Sequence, residues 1–185
     1  GVEVSPVTTH AQDGYQVDPA RIEAAITGRT RAIVLPTPGN PTGTVLSKEQ
    51  LAAIADICAA KDVFFICDEV YREFVYDDSH GPRAPSLLDQ PAADEFGIII
   101  DSVSKRYSAC GARIGWIVTR NAEIREAALR FGQARLSPAT VDQYAAKAAL
   151  AVPESWFEKV KAEYKARRDV LVAGLRRIGL DAPNP

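Results

Sequence analysis

The sequence has no methionine, only three cysteines, little charge imbalance and no long apolar run, and each scarcity narrows what the chain can be. With no methionine and with Gly1 at its start, the 185-residue chain reads as a segment of a longer protein. The cysteines (Cys58, Cys67, Cys110) are odd in number and irregularly spaced, which fits neither a disulfide framework nor a zinc site. A reducing, cytoplasmic compartment is the corresponding expectation, with Cys58 and Cys67 as small core hydrophobes. Apolar runs such as 63–67 and 98–100 are far too short to cross a bilayer. The first ten residues lack the basic start and apolar centre of a signal peptide. Lys and Arg number 22 against 24 Asp and Glu, so a net charge of −2 offers no general attraction to nucleic acid or anionic lipid.

What remains is the composition of an ordinary soluble globular protein, 46% hydrophobic and 25% charged, long enough for one α/β domain or a piece of a larger one. Residues 2–7 alternate apolar and polar side chains and read as a strand. Asp18 and Pro19 give an N-cap followed by proline at the first helical position, opening a short helix that ends at Gly28. Residues 32–35 form a buried strand running into the turn 36–43. Ser47 and Gln50 make a capping box for a helix with Leu51, Ile54, Ala55 and Cys58 on one face. Further strands are expected at 63–67, 97–100 and 114–119. Helices are expected at 122–131, 139–152 and 153–178, the last amphipathic through Trp156, Phe157, Val160 and Tyr164.

Strands alternating with helices predict an α/β fold, a mostly parallel sheet with helices on both faces. Ligands of such sheets sit beyond the C-terminal ends of the strands. Three strands lead directly into Asn40, Asp68 and Ser102 with Lys105, so polar residues converge where a site belongs. Lys105, in a partly desolvated cleft, could form a Schiff base with an aldehyde; a surface lysine is the plain alternative. Asp68 ends an apolar strand and could bind a cationic ring nitrogen, or simply cap a helix over 69–74. Tyr71 lies near the same cleft if a helical turn starts there, and otherwise packs as a half-buried tyrosine. Asn40 could be an ordinary turn residue. Ser102 and Arg113 could contact a phosphate, or be a loop serine and a solvated arginine. His10 and His80 fall in loops and carry no assigned role.

Taken together, Asn40-Pro41-Thr42-Gly43, Asp68-Glu69-Val70-Tyr71, and Ser102-Val103-Ser104-Lys105 followed by Gly111-Ala112-Arg113-Ile114-Gly115 resemble the signature blocks of class I/II aminotransferases. These are fold-type I enzymes dependent on pyridoxal 5'-phosphate. The order matches, and so do the intervals: 28 residues from Asn40 to Asp68, 37 from there to Lys105, and 8 more to Arg113. Two positions are less common: Ala112, where an aromatic is frequent, and Val103 between the two serines.

The resemblance implies a role for each residue. Lys105 would hold the cofactor as a Schiff base and shuttle a proton between substrate Cα and cofactor C4′. Asp68 would pair with the pyridine nitrogen, Tyr71 and Asn40 would hydrogen-bond the phenolic oxygen, and Ser102 and Arg113 would bind the phosphate. It implies amino acid and 2-oxo acid substrates, a ping-pong reaction, a homodimer, and no metal, nucleic acid or membrane partner. Residues 1–152 would form part of the cofactor-binding large domain, and 153–185 the connecting helix and the start of a C-terminal small domain. The family's glycine-containing phosphate loop, its ring-stacking aromatic and its carboxylate-gripping arginine match no residue here, so little or no turnover is expected from the 185 residues alone. Apolar surface that the missing parts would cover should also be exposed, which favours association. Two other readings share the same residues: a lyase or decarboxylase of the same fold type, and an aminotransferase-like sensor domain of a transcriptional regulator.

Overall fold

Ser47 and Gln50 open the longest helix of the first half of the chain. The Gln50 N–H donates to the Ser47 hydroxyl (3.2 Å) and the Ser47 N–H donates to Gln50 Oε1 (2.9 Å), the reciprocal box that the sequence predicts. Helix α2 (Lys48–Lys61) runs from this cap to Asp62, which adopts the left-handed conformation at φ 56°. Its Leu51, Ile54, Ala55 and Cys58 recur at helical spacing and are all buried. The shorter α1 (Pro19–Ala25) begins with the Ala20 N–H donating to Asp18 Oδ1 (2.9 Å). It ends at Ala25, three residues before the Gly28 expected from sequence, because Ile26 already has extended backbone. Gln50 Nε2 donates to the Val17 carbonyl (2.8 Å), which joins the starts of the two helices.

The computed structural model describes residues 1–77 and 80–185. Its sheet has four strands in the order β1 (Ala32–Pro36), β2 (Phe64–Asp68), β3 (Gly97–Ser102), β4 (Gly115–Val118). β1, β2 and β3 are parallel and β4 is antiparallel to β3. Only residues 103–114 join β3 to β4, and they hold a one-turn helix, α4 (Val103–Arg106), and a 3-10 turn, Cys110–Ala112. Neither element is a helix long enough to cross back over the sheet, and β4 returns antiparallel alongside β3.

One face of the sheet presents Ile33, Leu35, Phe65, Cys67 and Ile99 to the α2 stripe, together with Leu46, Leu87 and Ala93. Burying a side chain of this size contributes about 1.5–3 kcal/mol. Cys58 and Cys67 are the small core hydrophobes that the sequence suggests, and burial pushes the Cys58 thiol up to about 12 and Cys67 up as well. The other face is less covered. Val34 is 64% exposed, and the paired Ile100 and Ile117 are exposed on the same face. Helices on both faces were the expectation from sequence; on this second face Ile98 is buried and Ile66 half-buried, while Val34, Ile100 and Ile117 are open. The last third of the chain forms α5 (Ala122–Arg135), α6 (Thr140–Ala149) and α7 (Glu154–Arg177), and of their residues only Val172 is buried. Phe131, Leu136, Val141 and Tyr144 stand largely in solvent, the uncovered apolar surface expected above.

The strand expected at residues 2–7 does not form, and Val2 and Val4 are exposed. Alternation alone does not make a strand, because its N–H and C=O groups need a partner.

Candidate active site

The register of the sheet places the candidate residues at one end. Pro36 pairs with Asp68 and Asp68 with Ile100, so β1, β2 and β3 finish side by side. Asn40 lies four residues beyond β1. β3 continues to Ser102, which pairs with Gly115 of the antiparallel β4. Arg113, two residues before Gly115, therefore enters from the same end that Ser102 and Lys105 leave. This is the C-terminal edge of the parallel strands, where α/β proteins bind ligands.

Each residue is held by local bonds. The loop carrying Asn40 is fixed by buried Thr37: its N–H donates to the Asp68 carbonyl (2.9 Å) and its hydroxyl accepts from the Leu46 N–H (2.9 Å). Gly43 closes the loop at φ 72°, donating to the Gly39 carbonyl (2.7 Å). The Thr37–Pro38 and Asn40–Pro41 peptides are both cis, and Asn40 itself is exposed. Asp68 is half-buried, and its Oδ1 accepts from the Val70 N–H (3.0 Å). Residues 69–74 form turns and no helix, so Asp68 caps a turn, not the helix weighed from the sequence.

Tyr71 packs edge-on to Phe74, ring centroids 6.1 Å apart, and Lys105 Nζ lies 5.7 Å from the Tyr71 ring centroid. These two residues, 34 apart in sequence, are brought together. Lys105 is exposed and not in the partly desolvated cleft expected for it, since nothing among the described residues lies over this end of the sheet closely enough to bury it. Ser102 caps α4, its hydroxyl accepting from the Ser104 N–H (3.2 Å). Arg113 has left-handed backbone (φ 54°), and its exposed guanidinium donates to the Cys110 carbonyl (2.9 Å). A cavity of about 640 Å³ lies beyond the Asn40 loop, lined by Thr42, Gly43, Tyr76, His80, Arg168 and Asn184 among others. None of the six candidate residues lines it.

Sequence reasoning passed over a group of buried charges beneath this edge: Glu69, Glu73 and Asp101, with Arg106. Glu69 Oε1 accepts from the Leu87 N–H (2.7 Å) and the Ser86 hydroxyl (3.1 Å). Burial pushes the Glu69 carboxyl above its ordinary value of 4.5, against the pull of those two bonds. Burial raises Asp101 as well, opposed by the neighbouring Arg106. A carboxyl that is raised in the folded state holds its proton better there than when unfolded. Folding therefore loses stability as pH climbs from the ordinary carboxylate value through the raised one. Glu69→Gln keeps an acceptor for Leu87 and removes the charge, so its stability should fall less over that pH range. Urea unfolding of both proteins across pH 4–7 checks this; parallel pH profiles would contradict it.

The fold is that of an α/β protein whose Asp68, Ser102 and Lys105 lie at or just beyond the C-terminal edge of its parallel strands. The chain belongs to the aminotransferase class I and II family, whose model matches residues 1–185. It is 34% identical to the aspartate/prephenate aminotransferase of Thermus thermophilus over 100% of this chain and 47% of that protein. It is 35% identical to the valine–pyruvate aminotransferase of Mycobacterium tuberculosis, again over 100% of this chain and 46% of that protein. Among solved structures it resembles the aspartate aminotransferase of Thermus thermophilus with maleate, at a TM-score of 0.84 and 33% identity, covering 96% of this chain and 46% of that one. The aromatic aminotransferase of Pyrococcus horikoshii matches at a TM-score of 0.85 and 32% identity, covering 96% and 47%. The chain thus spans about half the length of these relatives.

Proposed function

We propose that the full-length protein is a pyridoxal 5'-phosphate-dependent aminotransferase that moves an amino group from an amino acid to a 2-oxo acid in a ping-pong sequence. Residues 1–152 would contribute to its cofactor-binding domain, and 153–185 would lead into a second, smaller one. The observation that carries this reading is the approach of Lys105 Nζ to the Tyr71 ring at the strand end shared with Asp68 and Ser102.

The residues suit that cofactor chemically. An exposed amine can reach an aldehyde, a carboxylate can face a cationic ring nitrogen, and a hydroxyl with a guanidinium can meet a phosphate dianion. When bound, the cofactor supplies an electron-withdrawing ring that stabilises charge developing at the substrate Cα. Lys105 would hold the aldehyde carbon and would carry the proton to and from the substrate Cα. Asp68 would accept a hydrogen bond from the ring nitrogen and so keep its proton in place. Tyr71 and Asn40 would donate hydrogen bonds to the phenolic oxygen. Ser102 and Arg113 would bind the phosphate, Arg113 by turning its exposed guanidinium away from the Cys110 carbonyl.

A homodimer in a reducing, cytoplasmic setting belongs to the same reading, supported by the family and by three unpaired cysteines. No helix among the described residues is long and apolar enough to cross a membrane. The names of the relatives differ in amino acid substrate, so the test needs a panel of donors. Incubated with pyridoxal phosphate, 2-oxoglutarate or pyruvate, and isotopically labelled amino acids, the full-length protein should pass the label to the acceptor. Release of free ammonia or carbon dioxide instead would favour the lyase or decarboxylase reading. Bound cofactor with no turnover of any donor would favour a sensor.

A further inference from the structure

A line of ion pairs runs from α7 to the helix that bears Lys105, and the proposed chemistry uses none of it. Glu154, in the first turn of α7, pairs with Arg83 Nη2 (2.7 Å), and Arg83 Nε faces Glu73 Oε2 (3.7 Å). Glu73 Oε1 faces Arg106 Nε (3.5 Å), and Arg106 Nη2 pairs with Asp101 Oδ2 (2.7 Å). The inner members are withdrawn from solvent: side-chain exposure is 7% for Glu73, 7% for Asp101 and 14% for Arg106. Arg106 Nε is buried and has no hydrogen-bond partner, so the Glu73 carboxylate is what it faces.

The position of Arg106 gives this line a use. Arg106 directly follows Lys105, and Glu73 lies two residues after Tyr71. Asp101 is rooted in β3, and its second oxygen accepts from the Ser102 N–H (2.7 Å). α4 has four residues, too few to hold its own geometry by helix propagation. Lys105 is exposed and so is not fixed by packing of its own side chain. We propose that Arg106 is a positioning residue: it pins the helix carrying Lys105 to the turn carrying Tyr71 by bridging Asp101 and Glu73. This inference builds on the reading of Lys105 as the cofactor lysine.

A guanidinium suits the task because its planar fork can address two carboxylates at once, which an ammonium on a flexible stem does less well. Removing it would leave buried Asp101 without its ion-pair partner and Glu73 with Arg83 alone, and would cut the bridge between the two carboxylates. The segments holding Lys105 and Tyr71 would then separate, and displacement of reacting groups by about 1 Å can lower turnover by about 100-fold.

The test uses Arg106→Gln, Arg106→Lys and Glu73→Gln in the full-length protein. In Arg106→Gln without cofactor, amide hydrogen exchange should accelerate in 70–74 and 103–107 together, while β1 and β2 stay protected. With cofactor, kcat should fall about tenfold or more with KM changed less than about threefold. The pH midpoint of the cofactor's visible absorbance should move as well. Arg106→Lys should recover part of each loss. Glu73→Gln, which keeps the Asp101–Arg106 pair, should show the same changes at smaller size, and it decides the matter if Arg106→Gln does not fold. Unaltered exchange in 70–74, acceleration spread evenly over the whole chain, or wild-type kcat and midpoint in a folded variant would each overturn the proposal. If the wild-type protein attaches no cofactor at Lys105, the functional reading fails, and the exchange measurement still decides the clamp.

Discussion

Lys105→Ala should remove amino transfer almost completely, lowering kcat by roughly 10²–10⁴-fold or more. The change deletes both the amine that would hold the aldehyde carbon and the base that would move the Cα proton. The fold should tolerate it. Lys105 is exposed, and its one described side-chain contact is the 5.7 Å approach to Tyr71. Surface substitutions of this kind stay within about 0.5 kcal/mol. Ser102 and Arg113 remain in the variant, so it should still bind the cofactor without a covalent link and show the absorbance of the free aldehyde. Steady-state assays with a thermal melt check both halves. Residual activity within about tenfold of wild type would move the proton transfer to another group.

The second large effect is expected at Asp68. Asp68→Asn keeps an oxygen that can accept from the Val70 N–H, so the turn after β2 should survive. What it loses is the negative charge that, on the proposed reading, would face the ring nitrogen. Withdrawing such fixed electrostatic support lowers kcat by about 10²–10³-fold where it stabilises a developing charge. Cofactor affinity should weaken in the same variant. An intact kcat would reduce Asp68 to a turn-capping residue, the plainer of the two roles its sequence position allows.

Local signals in the sequence foretold local structure well. Ser47 and Gln50 named the start of α2, and the spacing of Leu51, Ile54, Ala55 and Cys58 named its buried face. Three short apolar runs gave the three parallel strands, and the motif order gave the polar residues at their ends. The strand expected at 2–7 failed because its alternation found no partner. The uncovered face with Val34 and Ile117 was equally illegible, since β-branched strands read as buried on both sides wherever their cover comes from.

The buried charges were hidden for a different reason. Glu69 looks like any acidic residue after a strand until Ser86 and Leu87, 17 and 18 residues further on, supply its donors. Arg106 reads as a solvated neighbour of Lys105 until Asp101 and Glu73 close on it. Charge burial is settled by tertiary partners, and no periodicity announces it.

The central claim, that Lys105 is the residue holding the cofactor, has a direct test. Full-length protein is mixed with pyridoxal phosphate, reduced with borohydride and digested, and the modified lysine is located by mass spectrometry, with Lys105→Ala as control. The expected result is a single adduct on Lys105 that is missing from the variant. Adducts scattered over Lys48, Lys61 and the lysines of α7, or equal labelling of the variant, would contradict it.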